Sequence, residues 1–315
     1  MRPTDLCRRD FLTVGVAALA APALGAAQPF FKRHSLPIGI QLYTLGPDAA
    51  KDLDGTLSAI AKIGSKSVEL AGFLGRTPSE MRAALDRSGL ACTSAHIQGK
   101  AAGPDGGLDG DLDKLAAGLR VLGVKTAVMP SLYVPTRFSM NAGEGFGAYL
   151  RRMTGELTAD DWKMNADFLN AKAAVLKRSG IRVGYHNHNF EFAPVGATNG
   201  FEILLQNTDP ALVTFEMDIG WVAAAGADPL TLLSHHRGRF SLAHVKDVKA
   251  TTKPNFALAM DPTEVGSGSL DWTRLLPAAY AAGVRGFYVE QEPPFTLPRI
   301  EAAKASHDYL ARVAA

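Results

Sequence analysis

The stretch GIRVGYHNHNF, running from Gly180 to Phe190, decides the fold. Gly180 is suited to end a helix. Ile181–Tyr185 is a short apolar run of strand length, and it stops on His186 with a second imidazole at His188. Three other runs end in the same manner: Val213–Met217 on Asp218, Ser241–Ala243 on His244 and Phe287–Val289 on Glu290. Parallel strands buried on both faces read as apolar runs. A polar residue at the C-terminal end of each is how a closed barrel gathers side chains around one mouth. Two imidazoles and two carboxylates converging on a point form a mixed nitrogen–oxygen donor set for one divalent ion, with Mn, Co, Zn and Mg all open.

Outward from these runs, strand and helix signals alternate. Strands are predicted at Ile38–Tyr43, Ser67–Leu70, Leu90–Ile97, Lys125–Met129, Ile181–His186, Leu212–Met217, Ser241–Val245 and Gly286–Glu290. Helical spacing falls between them, with Gly89, Gly123 and Gly180 as C-terminal stops. Residues 130–160 break the rhythm as a long Gly-, Pro- and aromatic-rich loop, suited to a lid, and residues 251–269 form a second long loop. Eight strands alternating with helices predict a single-domain (β/α)8 TIM barrel. A doubly wound open sheet is the alternative, but Gly46-Pro47-Asp48 after the first strand is no phosphate-binding glycine loop.

The chain of 315 residues is 47% hydrophobic and 20% charged, with a net charge of +2. It can build a large core and lacks the basic stripe that nucleic-acid binding requires. The N-terminus reads separately. Arg8-Arg9-Asp10-Phe11-Leu12 precedes an apolar stretch to Leu24 and the small residues Gly25-Ala26-Ala27. Residues 1–27 are therefore expected to be a cleaved twin-arginine-type export signal, placing residues 28–315 in the periplasm. The apolar run falls short of the roughly 20 residues of a membrane span, so no stable anchor is expected. Beyond Cys7, only Cys92 remains, which leaves the exported chain without an internal disulfide.

Polar groups at the strand mouths are Gln41, Glu69, His96, His186, His188, Asp218, His244, Lys246 and Glu290. Residues two apart on a strand share a face, so His186 with His188, and His244 with Lys246, can both point inward. Each alone has a plain explanation. A lone strand-end histidine is more often a hydrogen-bonded structural residue, Asp218 could cap the following turn, and Lys246 could be a surface lysine. Together, polar groups ending so many separate strands are hard to attribute to chance.

Tyr185-His186-Asn187-His188, Phe190-Glu191-Phe192, Met217-Asp218-Ile219-Gly220-Trp221, His244-Val245-Lys246-Asp247 and Val289-Glu290-Gln291 resemble the sugar phosphate isomerase/epimerase family of xylose-isomerase-like TIM barrels. Gly39–Tyr43, Val68-Glu69-Leu70 and Ala95-His96-Ile97 extend the resemblance across the chain after about Pro37. The resemblance implies Asp218, His244 and Glu290 as metal ligands. It also implies that His186 stands where the family carries a glutamate that both binds metal and moves protons. Symmetrical two-base epimerisation is thereby put in doubt.

The resemblance implies proton abstraction beside a carbonyl through a metal-stabilised enediolate. Glu290 is the expected base, with Glu69, His188 and Glu191 as candidate acids, while Gln41, His96, Glu191, Trp221 and Lys246 are expected to contact substrate. A sugar isomerase or epimerase is the first expectation. A dehydratase or lyase acting on a keto-sugar or keto-glycoside is the alternative, since it needs no second symmetric base. A non-catalytic sugar-binding protein and a metal-dependent endonuclease are the remaining rivals. The expected partner is a small sugar or keto-sugar, and homo-oligomerisation is left open.

Overall fold

The computed structural model describes residues 28–101 and 106–315, so the export signal expected at 1–27 lies outside the described residues. Eight parallel strands close on themselves. They are β1 (Gly39–Gln41), β2 (Ser67–Ala71), β3 (Ala91–His96), β4 (Thr126–Met129), β5 (Arg182–His186), β6 (Val213–Asp218), β7 (Phe240–Val245) and β8 (Gly286–Val289). Each pairs with its sequence neighbours, and β1 closes the ring against β8 with Gly39 beside Tyr288 and Ile40 beside Val289. The predicted (β/α)8 barrel is the observed fold.

Around it lie α1 (Leu53–Lys62), α2 (Pro78–Ser88), α3 (Leu112–Leu122), α4 (Phe146–Glu156), α5 (Ala159–Lys177), α6 (Gly200–Asn207), α7 (Ile219–Ala224), α8 (Pro229–His235), α9 (Trp272–Ala282) and α10 (Arg299–Leu310). Local chemistry sets their limits. Thr77 and Thr158 begin α2 and α5 with capping boxes, and Gly89 and Gly123 end α2 and α3 in left-handed conformations, φ 65° and 84°. Among the described residues, no helix is long and apolar enough to cross a membrane.

Three departures from the sequence expectation bear on the site. The first strand ends at Gln41, because the Gln41 side chain accepts the Tyr43 N–H and starts a 3-10 turn over Leu42–Leu45. The stretch expected as a loop contains α4. A six-residue helix, α7, follows β6 directly, its first turn capped by Asp218. Between sheet and helices the core is apolar and partly aromatic: Phe201, Phe215 and Phe240 pack as one group, with centroids 5.6–6.4 Å apart.

Candidate active site

The C-terminal mouth holds a buried cluster of ionisable groups whose positions follow from the strand ends. On β6, Asp218 Oδ1 accepts the Trp221 N–H at 2.8 Å, so the cap of α7 also fixes the carboxylate's rotation. Asn187 ties the tips of β5 and β6 together: its Oδ1 accepts the Asp218 N–H at 3.0 Å and its Nδ2 donates to the Asp218 carbonyl at 3.3 Å. Gly220 is required by close approach, because a Cβ there would lie 2.8 Å from both Lys246 Cγ and the Lys246 carbonyl oxygen.

His186, Asp218, His244 and Glu290 each offer a ligand atom within 4.8 Å of the others. His244 Nδ1 is 2.9 Å from Glu290 Oε2 and 3.6 Å from Asp218 Oδ2, and His186 Nε2 is 3.9 Å from Asp218 Oδ2. The opposite nitrogens face a second layer of carboxylates. His244 Nε2 is 2.7 Å from Glu69 Oε1, and His186 Nδ1 is 3.1 Å from Glu216 Oε2. An imidazole that donates one N–H to a buried carboxylate keeps a lone pair on its other nitrogen, the arrangement found behind metal-binding histidines. With His186 donating from Nδ1 to Glu216, its Nε2 lone pair is turned toward Asp218. Against burial, Glu216 and Glu290 hold the His244 imidazole well above its ordinary value, so His244 would release its Nδ1 proton on binding an ion.

Sequence reasoning missed Glu216, which is fully buried in the middle of β6. Its Oε2 also meets His96 Nε2 at 2.9 Å, while His96 lies 3.2 Å from Glu69 Oε1. Burial opposes a charge on His96, but Glu69 and Glu216 outweigh it and lift the imidazole to about 9. Gln41 completes the layer by donating to Glu69 Oε1 at 2.7 Å.

Lys246 is fully buried rather than a surface lysine. Its ammonium lies 2.7 Å from Glu290 Oε2, 2.9 Å from Asp218 Oδ2 and 3.0 Å from Glu292 Oε1, with the Trp221 ring centroid 5.0 Å away. Burial works against a charge on Glu290, yet Lys246 and His244 outweigh burial and hold its carboxyl well below the usual range. Lys246 thus answers Asp218, Glu290 and Glu292, while the imidazole of His96 answers Glu69 and Glu216. Glu69 Oε2 and Glu216 Oε1 accept no hydrogen bond. The mixed imidazole–carboxylate donors of His186, Asp218, His244 and Glu290 suit a divalent first-row transition ion or zinc.

Above the cluster opens a cavity of about 820 Å³. His96, His186, His188, Trp221, Glu290 and Glu292 reach it, whereas Gln41, Glu69, Asp218, His244 and Lys246 lie beneath its floor. His188 Nδ1 is buried and unpartnered, and its ring contacts His186, Phe190 and Trp221 at 5.0, 5.8 and 5.6 Å. Glu191, expected at the substrate, is not among the groups that line the cavity. Its carboxyl accepts from the Tyr185 hydroxyl at 2.8 Å and the His188 N–H at 2.9 Å, and burial raises it to about 8.

The family described as xylose isomerase-like TIM barrel matches residues 57–313. An inosose dehydratase of Geobacillus thermodenitrificans is 29% identical over 161 residues, 47% of this chain and 53% of that protein, so this match spans about half the relative's length. The inosose dehydratase of Geobacillus kaustophilus is 24% identical over 278 residues, covering 82% of this chain and 87% of the relative. Among solved structures, a sugar phosphate isomerase/epimerase from Parabacteroides distasonis superposes with a TM-score of 0.69 at 24% identity, covering 95% of this chain and 98% of that one. The IOLI protein, solved with a bound zinc atom, superposes with a TM-score of 0.61 at 13% identity over 88% of this chain and 98% of that one. At these identities the solved structures show a shared fold.

Proposed function

The chain belongs to the xylose isomerase-like TIM barrel family, and on that premise we propose that it is a divalent-metal dehydratase or lyase acting on an uncharged polyhydroxylated ketone. The observation that carries this reading is the asymmetry of the cavity. Carboxylates reach it from the β8 end, as Glu290 and Glu292, whereas β3 and β5 present the imidazoles His96, His186 and His188. The Glu216 carboxylate behind His186 does not line the cavity, so it does not restore a second carboxylate base at the substrate. Epimerisation is easiest with two matched bases on opposite faces of one carbon. Elimination needs one base and one group that assists the departing oxygen.

A divalent ion held by His186, Asp218, His244 and Glu290 would supply Lewis acidity at the cavity floor. Glu290 accepts the proton from the carbon beside the ketone. His188, with its unpartnered Nδ1 at the cavity wall, is placed to meet the leaving oxygen. Trp221 and Phe190 wall the space. Names of relatives support the same chemistry, since both Geobacillus proteins are inosose dehydratases.

Epimerisation is the second reading, favoured by His188 standing on a different strand from Glu290 as an alternative proton carrier. The proposed export signal would put either reaction outside the cytoplasm. That placement is checked by fractionating cells that express the full chain and its Arg8→Lys, Arg9→Lys variant.

The deciding experiment incubates the metal-loaded protein with a panel of keto-sugars and inososes in deuterium oxide and follows the products by NMR. An unsaturated product supports elimination. Label with inversion and no unsaturation supports the second reading. No exchange with any ketone, or exchange undiminished in Glu290→Gln where a loss of about 10²-fold or more is expected, refutes proton abstraction by this site.

A further inference from the structure

The cavity extends from the polar floor at His186 and Glu290 out to α4. At about 820 Å³ it is near the top of the ~300–1,000 Å³ range of ligand sites. Its outer wall is α4. Phe146, Tyr149, Leu150 and Met153 follow the spacing i, i+3, i+4, i+7, which makes one stripe along the helix, and all four line the cavity. Such a stripe ordinarily turns onto a core. Here its outer end stays open, with Phe146 65% exposed.

The cavity is also lined by Leu258 and Met260 from the connection after β7. This lip is tied to the catalytic strand. Leu258 holds a left-handed backbone at φ 53°, and its N–H is accepted by Asn189 Oδ1 at 3.1 Å. Asn189, buried next to His188, also donates to the Asn255 carbonyl at 2.9 Å. Among the described residues, no arginine or lysine lines the cavity. The Lys246 ammonium beneath its floor is already held by three carboxylates. A phosphate group would find no arginine or lysine there.

We propose that the upper cavity is a subsite for an apolar, aromatic leaving group, so that the substrate is an uncharged keto-glycoside. Its sugar ring sits at the polar floor and its aglycone lies between α4 and residues 258–260. The inference rests on the eliminating chemistry proposed above. The proton beside the ketone passes to Glu290, and the electron pair it leaves forms a carbon–carbon double bond. The bond from the next carbon to the glycosidic oxygen breaks, and the aglycone departs as an alcohol or phenol with a proton from the His188 imidazole. The proton taken by Glu290 equals the one His188 gives, and exchange with solvent resets both groups. Atoms and electrons balance without a co-reactant.

The test compares methyl and phenyl 3-keto-β-D-glucopyranoside on the metal-loaded protein. The phenyl compound should have a KM at least ~10-fold lower, equivalent to ~1.4 kcal/mol. Phe146→Ala, a change at an exposed position that does not threaten the fold, should bring the ratio of the two KM values to within about threefold. Equal KM values in the original chain overturn the proposal, as does a ratio unchanged in Phe146→Ala. If that variant instead abolishes self-association seen by sedimentation while the ratio stays put, the stripe is an interface between copies and the proposal fails. If neither ketone reacts, calorimetry with the unreactive methyl and phenyl β-D-glucopyranosides reads the subsite alone. Tighter phenyl binding then sustains the subsite while refuting the elimination, and equal or absent binding overturns the subsite.

Discussion

Replacing Glu216 by glutamine should weaken metal binding by about 10- to 100-fold while leaving the barrel folded. Glu216 Oε2 receives the His186 N–H at 3.1 Å and the His96 N–H at 2.9 Å, both within a fully buried cluster. An amide oxygen can still accept these bonds, but they cease to be charge-assisted. Bonds to a charged group contribute ~1.5–3 kcal/mol against ~0.5–1.5 for neutral pairs, so two such bonds lose about 2–3 kcal/mol. Part of that loss falls on His186, whose lone pair is then held less firmly toward the metal position. The loss agrees with the ~10–100-fold cost of removing outer partners of metal-binding histidines, or ~1.4–2.7 kcal/mol. The assay is competition of the protein with a chromophoric chelator for Co²⁺ and Zn²⁺, with the melting of metal-free protein measured in parallel. Glu216→Asp, which keeps the charge on a shorter arm, should fall between the two. An affinity within about threefold of the original, with Asp218→Asn losing its metal, would refute the orienting role. A fall in metal-free stability with unchanged affinity would reduce Glu216 to a structural residue.

Three further outcomes follow from the buried polar groups. Burial lifts the Glu191 carboxyl to about 8, against an ordinary value near 4.5. Between these pH values the folded chain keeps a proton that the unfolded chain has released, so this group's contribution falls by ~1.4 kcal/mol per pH unit as pH rises. Glu191→Gln should remove that slope in urea titrations at pH 5–8; an unchanged slope would contradict the shift. Asp247 accepts from Trp272 Nε1 at 2.8 Å and from the N–H groups of Val248, Gly266, Gly268 and Leu270 at 2.9–3.3 Å. Asp247→Ala orphans these donors at ~1–3 kcal/mol for each one that stays dry, so a loss of at least ~3 kcal/mol is expected in chemical denaturation, and a loss below ~1 kcal/mol would show that water replaces the carboxylate. Cys92 is buried, and burial followed by Glu69 raises its thiol to about 12. In a Cys7→Ser chain no thiol should react with a disulfide reagent until the protein unfolds, and rapid native labelling would show that β3 opens locally.

The barrel was legible because its signal is repeated eight times. Apolar runs set between helical stretches place each strand within one or two residues of its observed limits, as Lys125–Met129 against β4 (Thr126–Met129) and Leu212–Met217 against β6 (Val213–Asp218) show. The cluster was legible where a ligand closes a strand, at His186, Asp218, His244 and Glu290, because the break from apolar to polar marks the mouth. Glu216 was hidden inside such a run. Phe215-Glu216-Met217 reads as a strand interior, and only the two-residue period linking Glu216 to Asp218 betrays it. That same period had paired His186 with His188, so the information was present but needed Asp218 to be treated as the second of two inward residues. α4 was hidden for a different reason. Gly147 and Gly155 and the preceding Asn141-Ala142-Gly143 stretch weaken local helix propensity, and its apolar stripe faces a cavity that no local pattern can announce. The two misses have opposite origins. Glu216 is a polar residue in a buried place and α4 is an apolar face in an open one, and each breaks the inside–outside rule that makes the rest of the chain readable. Sites where that rule fails are where a fold gives up stability for function, which is why one miss falls behind the proposed metal ligands and the other on the wall of the proposed substrate cavity.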